Sequence, residues 1–477
     1  MKELKEIQEL NRQIFNLFEG LFVEAFGILP QRFSPIDNFG SEIKKISQKQ
    51  KQNILSAVNK YLPEIQNFYN KNDSRMFQLL GIIGGLKYVL GGGSRFLTTQ
   101  FKAVKSMALY GDTILIPDPV LPWLETERIE EKFHHILFLE QIFIILHFKP
   151  LVDANLPYPA ISVFPSWEKF LEKNDSITKT GVERLVTNFF SFYLQIPFTA
   201  YEEIISYVKK NPDTFLKKVD DKNLFIAPGQ EPQSIYNAIK HYREYIDTWR
   251  SSDYKDTCKT YSDAEIVWLG INERLAPQFH WWENSNELKA HPLACLDVQW
   301  HYHQLTSKML LGMINSNVPK PLNPLESYIQ LNNKHFKWLG NLTVEELVRL
   351  REEGENEEFR SNIKKNLDHL NAASIQDVDD VAVEVAKTIS SLINKHQRNI
   401  KKINNRYFKK YGKTILITGI AASFFPALAP VAIASTVTVA GANLVWDISE
   451  HVGDLKRASK SLMGVLAKYS KMNMYEC

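Results

Sequence analysis

Cysteine is nearly missing from this chain, with Cys258, Cys295 and Cys477 the only three in 477 residues. So small, odd and scattered a set excludes a disulfide framework and a CxxC metal knuckle, and it points to a reducing compartment. The short motifs that announce common chemistries are missing too: there is no GxxxxGK[ST] loop, no GxGxxG fingerprint and no HExxH pair. No segment is low in complexity, and a composition of 44% hydrophobic and 23% charged residues is that of an ordinary folded protein. The first residues, MKELKEIQELNRQIF, are charged and amphipathic, with no apolar core leading to a cleavage site. That start predicts synthesis in the cytoplasm. The length allows two to four domains.

Charge is also lacking, in one place. From Thr414 to Trp446 the chain runs TILITGIAASFFPALAPVAIASTVTVAGANLVW without a charged side chain, 33 residues in all. A membrane-spanning helix takes about 20 apolar residues, so the run exceeds one span and falls short of two with a turn. Pro426 and Pro430 break it in the middle, since proline removes a backbone donor and clashes with the preceding turn. The preferred shape is a re-entrant hairpin with arms 415–425 and 431–446. Gly419, Ser423, Ser435 and Gly441 allow the close approach typical of packed membrane helices. The side chains expected at the membrane are Ile415, Leu416, Ile420, Phe424, Phe425, Leu428, Val431, Ile433, Val437, Val439 and Trp446.

Basic residues fence the run on both sides: Lys401, Lys402, Arg406, Lys409, Lys410 and Lys413 before it, Lys456 and Arg457 after it. Thirteen lysines and arginines against four acids give residues 395–477 a charge of +9, which leaves −6 for the remainder of a chain of net +3. Two basic flanks favour placing both ends at the cytoplasmic face, against anionic lipid. A buried helical hairpin in a soluble core is the competing reading, because alanine and threonine are only mildly hydrophobic.

Elsewhere the pattern is mainly α-helical and multi-domain. The regions read as an N-terminal helical stretch at 1–108, a small α/β insertion at 109–175, a central helical region at 176–314, a helical region at 325–412 ending in a long basic helix, and the apolar hairpin with a basic amphipathic tail at 413–477. Apolar positions recur at helical spacing from Leu4 to Leu21. The clearest strand is Thr113–Ile116; a helix over 125–148 and a second strand, Ile161–Phe164, complete a β-helix-β unit, with a right-handed crossover if the strands are parallel. Gly91–Gly93 reads as a turn between helices, with no strand evident before it. Three prolines in NSNVPKPLNP mark a linker at 315–324. Thr343 and Glu346 form a capping box, and Gly354 suits the end of that helix.

Three groups are candidates for chemistry. Asp118, Glu130 and Lys132 follow the order of a metal-dependent nuclease, but ERIEEKFHH is helical rather than extended, so Asp118 is expected to cap a turn. Asp118 also stands at the carboxyl end of a strand, where ligands bind in α/β units. Glu131 and His135 are four apart on one helix and are spaced to share a metal, although such pairs are commonly surface contacts. The densest group gathers His280, Trp281, Trp282, Glu283, His291, Cys295, Asp297, Trp300, His301 and His303. Asp297 and His301 share a helical face, and His280 or His291 would complete a three-ligand site; the competing reading is packing, each histidine holding one hydrogen bond.

The leading expectation is therefore a bacterial-type effector, toxin-like or defence-associated, whose soluble part senses a signal and whose hairpin perturbs an anionic membrane surface. The rivals are a soluble metal-dependent hydrolase or nuclease and an oligomeric scaffold whose hairpin is a homo-oligomer interface. Nucleic acid is not the expected partner, since the basic tail adjoins an apolar run rather than a polar reading surface. No particular cofactor is implied.

Overall fold

A computed structural model describes residues 2–30, 51–91, 98–108, 111–124, 132–230, 232–250, 252–293, 296–314 and 344–354, with short pieces up to 365. All the membrane-contact and basic-flank positions named above lie outside these residues, as do the linker at 315–324, Glu130, Glu131 and Thr343.

The fold is mostly helical around a small parallel sheet. The first half holds α1 (Lys2–Phe26), α2 (Lys51–Ile82), β1 (Lys87–Leu90), α3 (Thr98–Met107), β2 (Thr113–Pro117), α4 (Leu121–Leu124), α5 (Lys132–Leu146), α6 (Lys149–Asp153) and β3 (Ile161–Phe164). The second holds α7 (Glu168–Asn174), α8 (Ser176–Leu194), α9 (Tyr201–Lys210), α10 (Pro212–Asp221), α11 (Ile235–Trp249), α12 (Ser252–Lys259), α13 (Asp263–Glu287), β4 (His291–Leu293), α14 (Asp297–Ile314) and α15 (Val344–Glu352). Among the described residues the four strands form one sheet in the order β3-β2-β1-β4, every pair parallel.

Two of those strands were expected and two were not. The sheet is wider than the two-strand unit read in the sequence, since β1 and β4 come from either side of 109–175. In particular, the reading of Gly91 as a turn between helices is corrected: β1 runs directly into it. A parallel strand buried on both faces shows no alternation, and KYVL is only four residues long, so periodicity had nothing to register.

Helices α1 and α2 lie antiparallel, as the ion pairs Arg75–Glu6 and Lys60–Glu24 at their opposite ends require. Buried Asn11 of α1 covers the outer edge of β3. Its amide donates to the Ile161 carbonyl at 2.8 Å and accepts from the Val163 amide at 3.2 Å, imitating the missing neighbour strand. Two hydrophobic cores are formed by the described residues, one around the sheet and one among α8–α14. Helix α13 belongs to both: Trp281 enters the first and Trp282 the second. Ser262 caps its start in a reciprocal box with Glu265. After α13 the chain reverses through Leu288–Ala290, with Lys289 at φ 49°, and enters β4. So short a return sets α13 antiparallel to β4, and its earlier turns project past the sheet's carboxyl ends.

Candidate functional site at the carboxyl edge of the sheet

The chain passes from β1 to β2 to β3 in one direction and returns to place β4 on the other side of β1. The order therefore reverses at β1. In open parallel sheets the crevice beyond the carboxyl ends at such a point is where ligands bind.

Gly91 is the first residue past β1. Its amide donates to the Leu293 carbonyl at 2.8 Å, extending the β1-β4 pairing, and its own carbonyl accepts from two amides, Gln100 Nε2 of α3 at 3.1 Å and Gln299 Nε2 of α14 at 2.6 Å. The Trp281 indole lies over it and donates from Nε1 to the Val89 carbonyl at 3.1 Å. A Cβ on residue 91 would sit 2.8 Å from Trp281 Cε2, so only glycine fits here. Gln278 continues this buried polar group with a bond from Nε2 to the Gln299 carbonyl.

Asp118 follows β2. Oδ1 accepts from the amides of Val120 and Leu121 at 2.7 and 3.1 Å, which starts α4, and Oδ2 accepts from the Tyr69 hydroxyl. The side chain thus serves as a turn cap with both oxygens engaged. Burial pushes its pKa up to about 7 against the opposing pull of the two amides. Tyr69 meets Trp167 edge-on, and Trp167 in turn donates to Asp73 at 3.2 Å.

The most polar group lies past β3, between α7 and α13. His280 is 2% exposed; Nε2 meets Glu172 Oε1 at 2.7 Å and Nδ1 lies 3.8 Å from Glu283 Oε2. Burial alone pushes the imidazole pKa down, but the hydrogen bond to Glu172 and the charges of Glu168, Glu172 and Glu283 carry it above its ordinary value. Burial pushes Glu283 up to about 7; His280 opposes this, while Glu287 and Asp175 add to it. Ser166, just after β3, accepts from Asn284 Nδ2 at 3.4 Å and donates to Glu168 at 3.2 Å, tying the strand exit to both helices. Chemically this is a buried histidine held between carboxylates of two helices at the carboxyl edge of the sheet.

Of the histidine-aspartate metal set read in the sequence, the side chains of His280 and His301 are described, and each is engaged elsewhere. His280 is taken by the α7 carboxylate of Glu172, while His301 donates to the Asn223 backbone carbonyl and is pushed by burial to a pKa of about 4. His291 and Asp297 stand on β4 and at the start of α14, and their side chains lie outside the described residues, as does that of His135. Among the described residues no three histidine, cysteine or acidic side chains gather as metal ligands. His303 stacks edgewise on Trp281 and Trp282 and is pushed by burial to about 3, a neutral core histidine. Glu172, Gln100 and Gln299 escaped sequence reading. Glu172 stands 108 residues from His280, and neither glutamine carries a local signal. No family model, no curated protein and no solved structure matches the chain, so its function rests on these residues and their sequence context.

Proposed function

We propose that the chain is an effector that docks at the cytoplasmic face of a membrane through residues 414–446, with the carboxyl edge of the sheet as the signal-responsive site of its body. The observation that carries this reading is the contrast between 33 uncharged residues fenced by lysine and arginine and a body in which no described helix is long and apolar enough to cross a membrane. A segment so unlike the rest supplies a second environment for the chain, and its basic flanks select anionic lipid. The switch-point crevice supports the sensing half by analogy with other open parallel sheets. His280, Glu172 and Glu283 stand on the helices at this edge, and Gly91 is packed beneath Trp281 at the end of β1.

Flotation of the full chain with vesicles of phosphatidylcholine and phosphatidylglycerol tests the docking, and release of an entrapped dye tests the perturbation. Binding is expected to weaken as salt rises and to vanish on replacing Phe424, Phe425 and Leu428 with serine. A chain that neither floats nor releases dye at any pH between 5 and 8 overturns the reading.

A further inference from the structure

The opposite, amino edge of the sheet is closed by arginines from far downstream. Helix α15 stands between residues 315–343 and 366–477, neither of which is described, and sends Val344, Leu347 and Leu350 into the sheet's core. Its Arg351 donates from Nη1 to the carbonyls of Ala108 at 2.6 Å and Gly111 at 2.7 Å, and from Nη2 to that of Asp112 at 3.0 Å. Arg360 donates to Asp112 Oδ1 at 2.8 Å, while Oδ2 of the same carboxylate holds the Leu86 amide. Both guanidinium groups are buried, Arg351 at 5% exposure and Arg360 at 6%.

The Ala108 carbonyl that Arg351 holds lies just past the last turn of α3, where the negative end of the helix dipole suits a cation, and those of Gly111 and Asp112 lead into β2. Yet the charge of Arg351 is disfavoured by Arg360 beside it, and Arg351 Nε finds no acceptor among the described residues. The grip on Arg351 thus depends on three carbonyls keeping their alignment. Of these, Ala108 and Gly111 are tied by their amides to the last turn of α3, at Val104 and Met107, while Asp112 is tied to Leu86 beside β1. The first turn of α3 carries Gln100, bonded to the Gly91 carbonyl at the far edge, so one helix links the carboxyl edge to two of the three carbonyls.

We propose that α15 is a releasable clasp on the C-terminal part of the chain, closed by Arg351 and Arg360 on Ala108, Gly111 and Asp112 and opened by displacement of α3 at its Gly91 end. The clasp itself stands on the described residues alone; that its opening frees a membrane-docking segment rests on the effector reading above. In the closed state α15 itself is packed against the sheet, and in the open state it is released from it.

Hydrogen exchange of the full chain, read at 344–352 and at β1 and β2, tests the clasp, and flotation with phosphatidylcholine-phosphatidylglycerol vesicles reads its consequence. Arg351→Met removes the grip, Leu347→Ala loosens the apolar side, and Gln100→Ala loosens the far end of α3. Each is expected to speed exchange at 344–352 by about tenfold while β1 and β2 stay protected, and to raise the floated fraction. If Arg351→Met loses protection throughout the sheet, Leu347→Ala decides. Unchanged exchange at 344–352 in Leu347→Ala and Arg351→Met overturns the clasp, and a change in these two but not in Gln100→Ala overturns its control through α3. Faster exchange in all three without flotation of any variant confirms the clasp and overturns the membrane reading instead.

Discussion

The two edges of the sheet handle buried charge in opposite ways. At the amino edge the buried groups are cations held by carbonyls: Lys87 on those of Leu80 and Gly81 where α2 ends, Arg351 on those of Ala108, Gly111 and Asp112 between α3 and β2. Burial pushes Lys87 down to about 8 and, with Arg360 beside it, Arg351 down to about 9, so both stay charged at neutral pH. At the carboxyl edge the buried group is a histidine between carboxylates: burial pushes Glu283 up to about 7, and the hydrogen bond to Glu172 with the neighbouring carboxylates carries His280 above its ordinary value despite burial. An arginine left without its partner has to remain a buried charge, whereas a histidine becomes neutral. The amino edge is therefore built to hold and the carboxyl edge to respond.

That difference is broken most severely at Asp112. Asp112→Ala removes the carboxylate to which buried Arg360 donates and the acceptor of the Leu86 amide, and about 3–5 kcal/mol of stability is expected to be lost by urea denaturation. Glu172→Ala at the other edge is expected to lose less than about 1 kcal/mol, because Glu172 is 40% exposed and His280 can give up its proton. Equal losses would erase the distinction. Gly91→Ala comes next, at about 1–3 kcal/mol, since the new methyl meets the Trp281 ring and the whole strand exit has to move. In a Trp281→Phe background the smaller ring relieves the overlap, so the two substitutions are expected to be non-additive.

Much of the helical frame and the strands at 113 and 161 were legible, because long amphipathic periods and proline-bounded β-branched runs leave strong local marks. The turn-capping role read for Asp118 follows from the same local logic, an aspartate whose carboxylate accepts from the amides two and three residues on. What stayed hidden is long-range. Strand β4 is three residues, HPL, shaped by its register against β1 and not by its own pattern. Trp281 and Trp282 read as one aromatic cluster, yet adjacent positions on a helix point to different sides, and they serve two cores. The clasp was beyond reach for the same reason: Arg351 sits 243 residues from the carbonyl it holds, and an arginine in a charged helix ordinarily faces water.

The finest test of the comparison is the pH dependence of Glu283→Gln. Glu283 titrates at about 7 in the folded protein and near 4.5 without the fold, so between those values the folded chain binds the extra proton. Its contribution to stability is thus present below about 4.5 and is lost as pH climbs to 7. His280, whose folded pKa is raised, loses its contribution in the same sense as pH rises through that value. Glutamine keeps the shape and removes the charge, so relative to the unaltered protein Glu283→Gln is expected to gain stability from pH 5 to pH 8. Partial solvent exposure holds that gain to about 1–2 kcal/mol. The buried His301 and His303 titrate in both proteins and cancel in the difference. Urea midpoints at the two pH values measure it, and a difference independent of pH would mean that Glu283 is ionised throughout. The carboxyl edge would then be as fixed as the amino edge, and the proton-responsive role of the His280 group would fall with it.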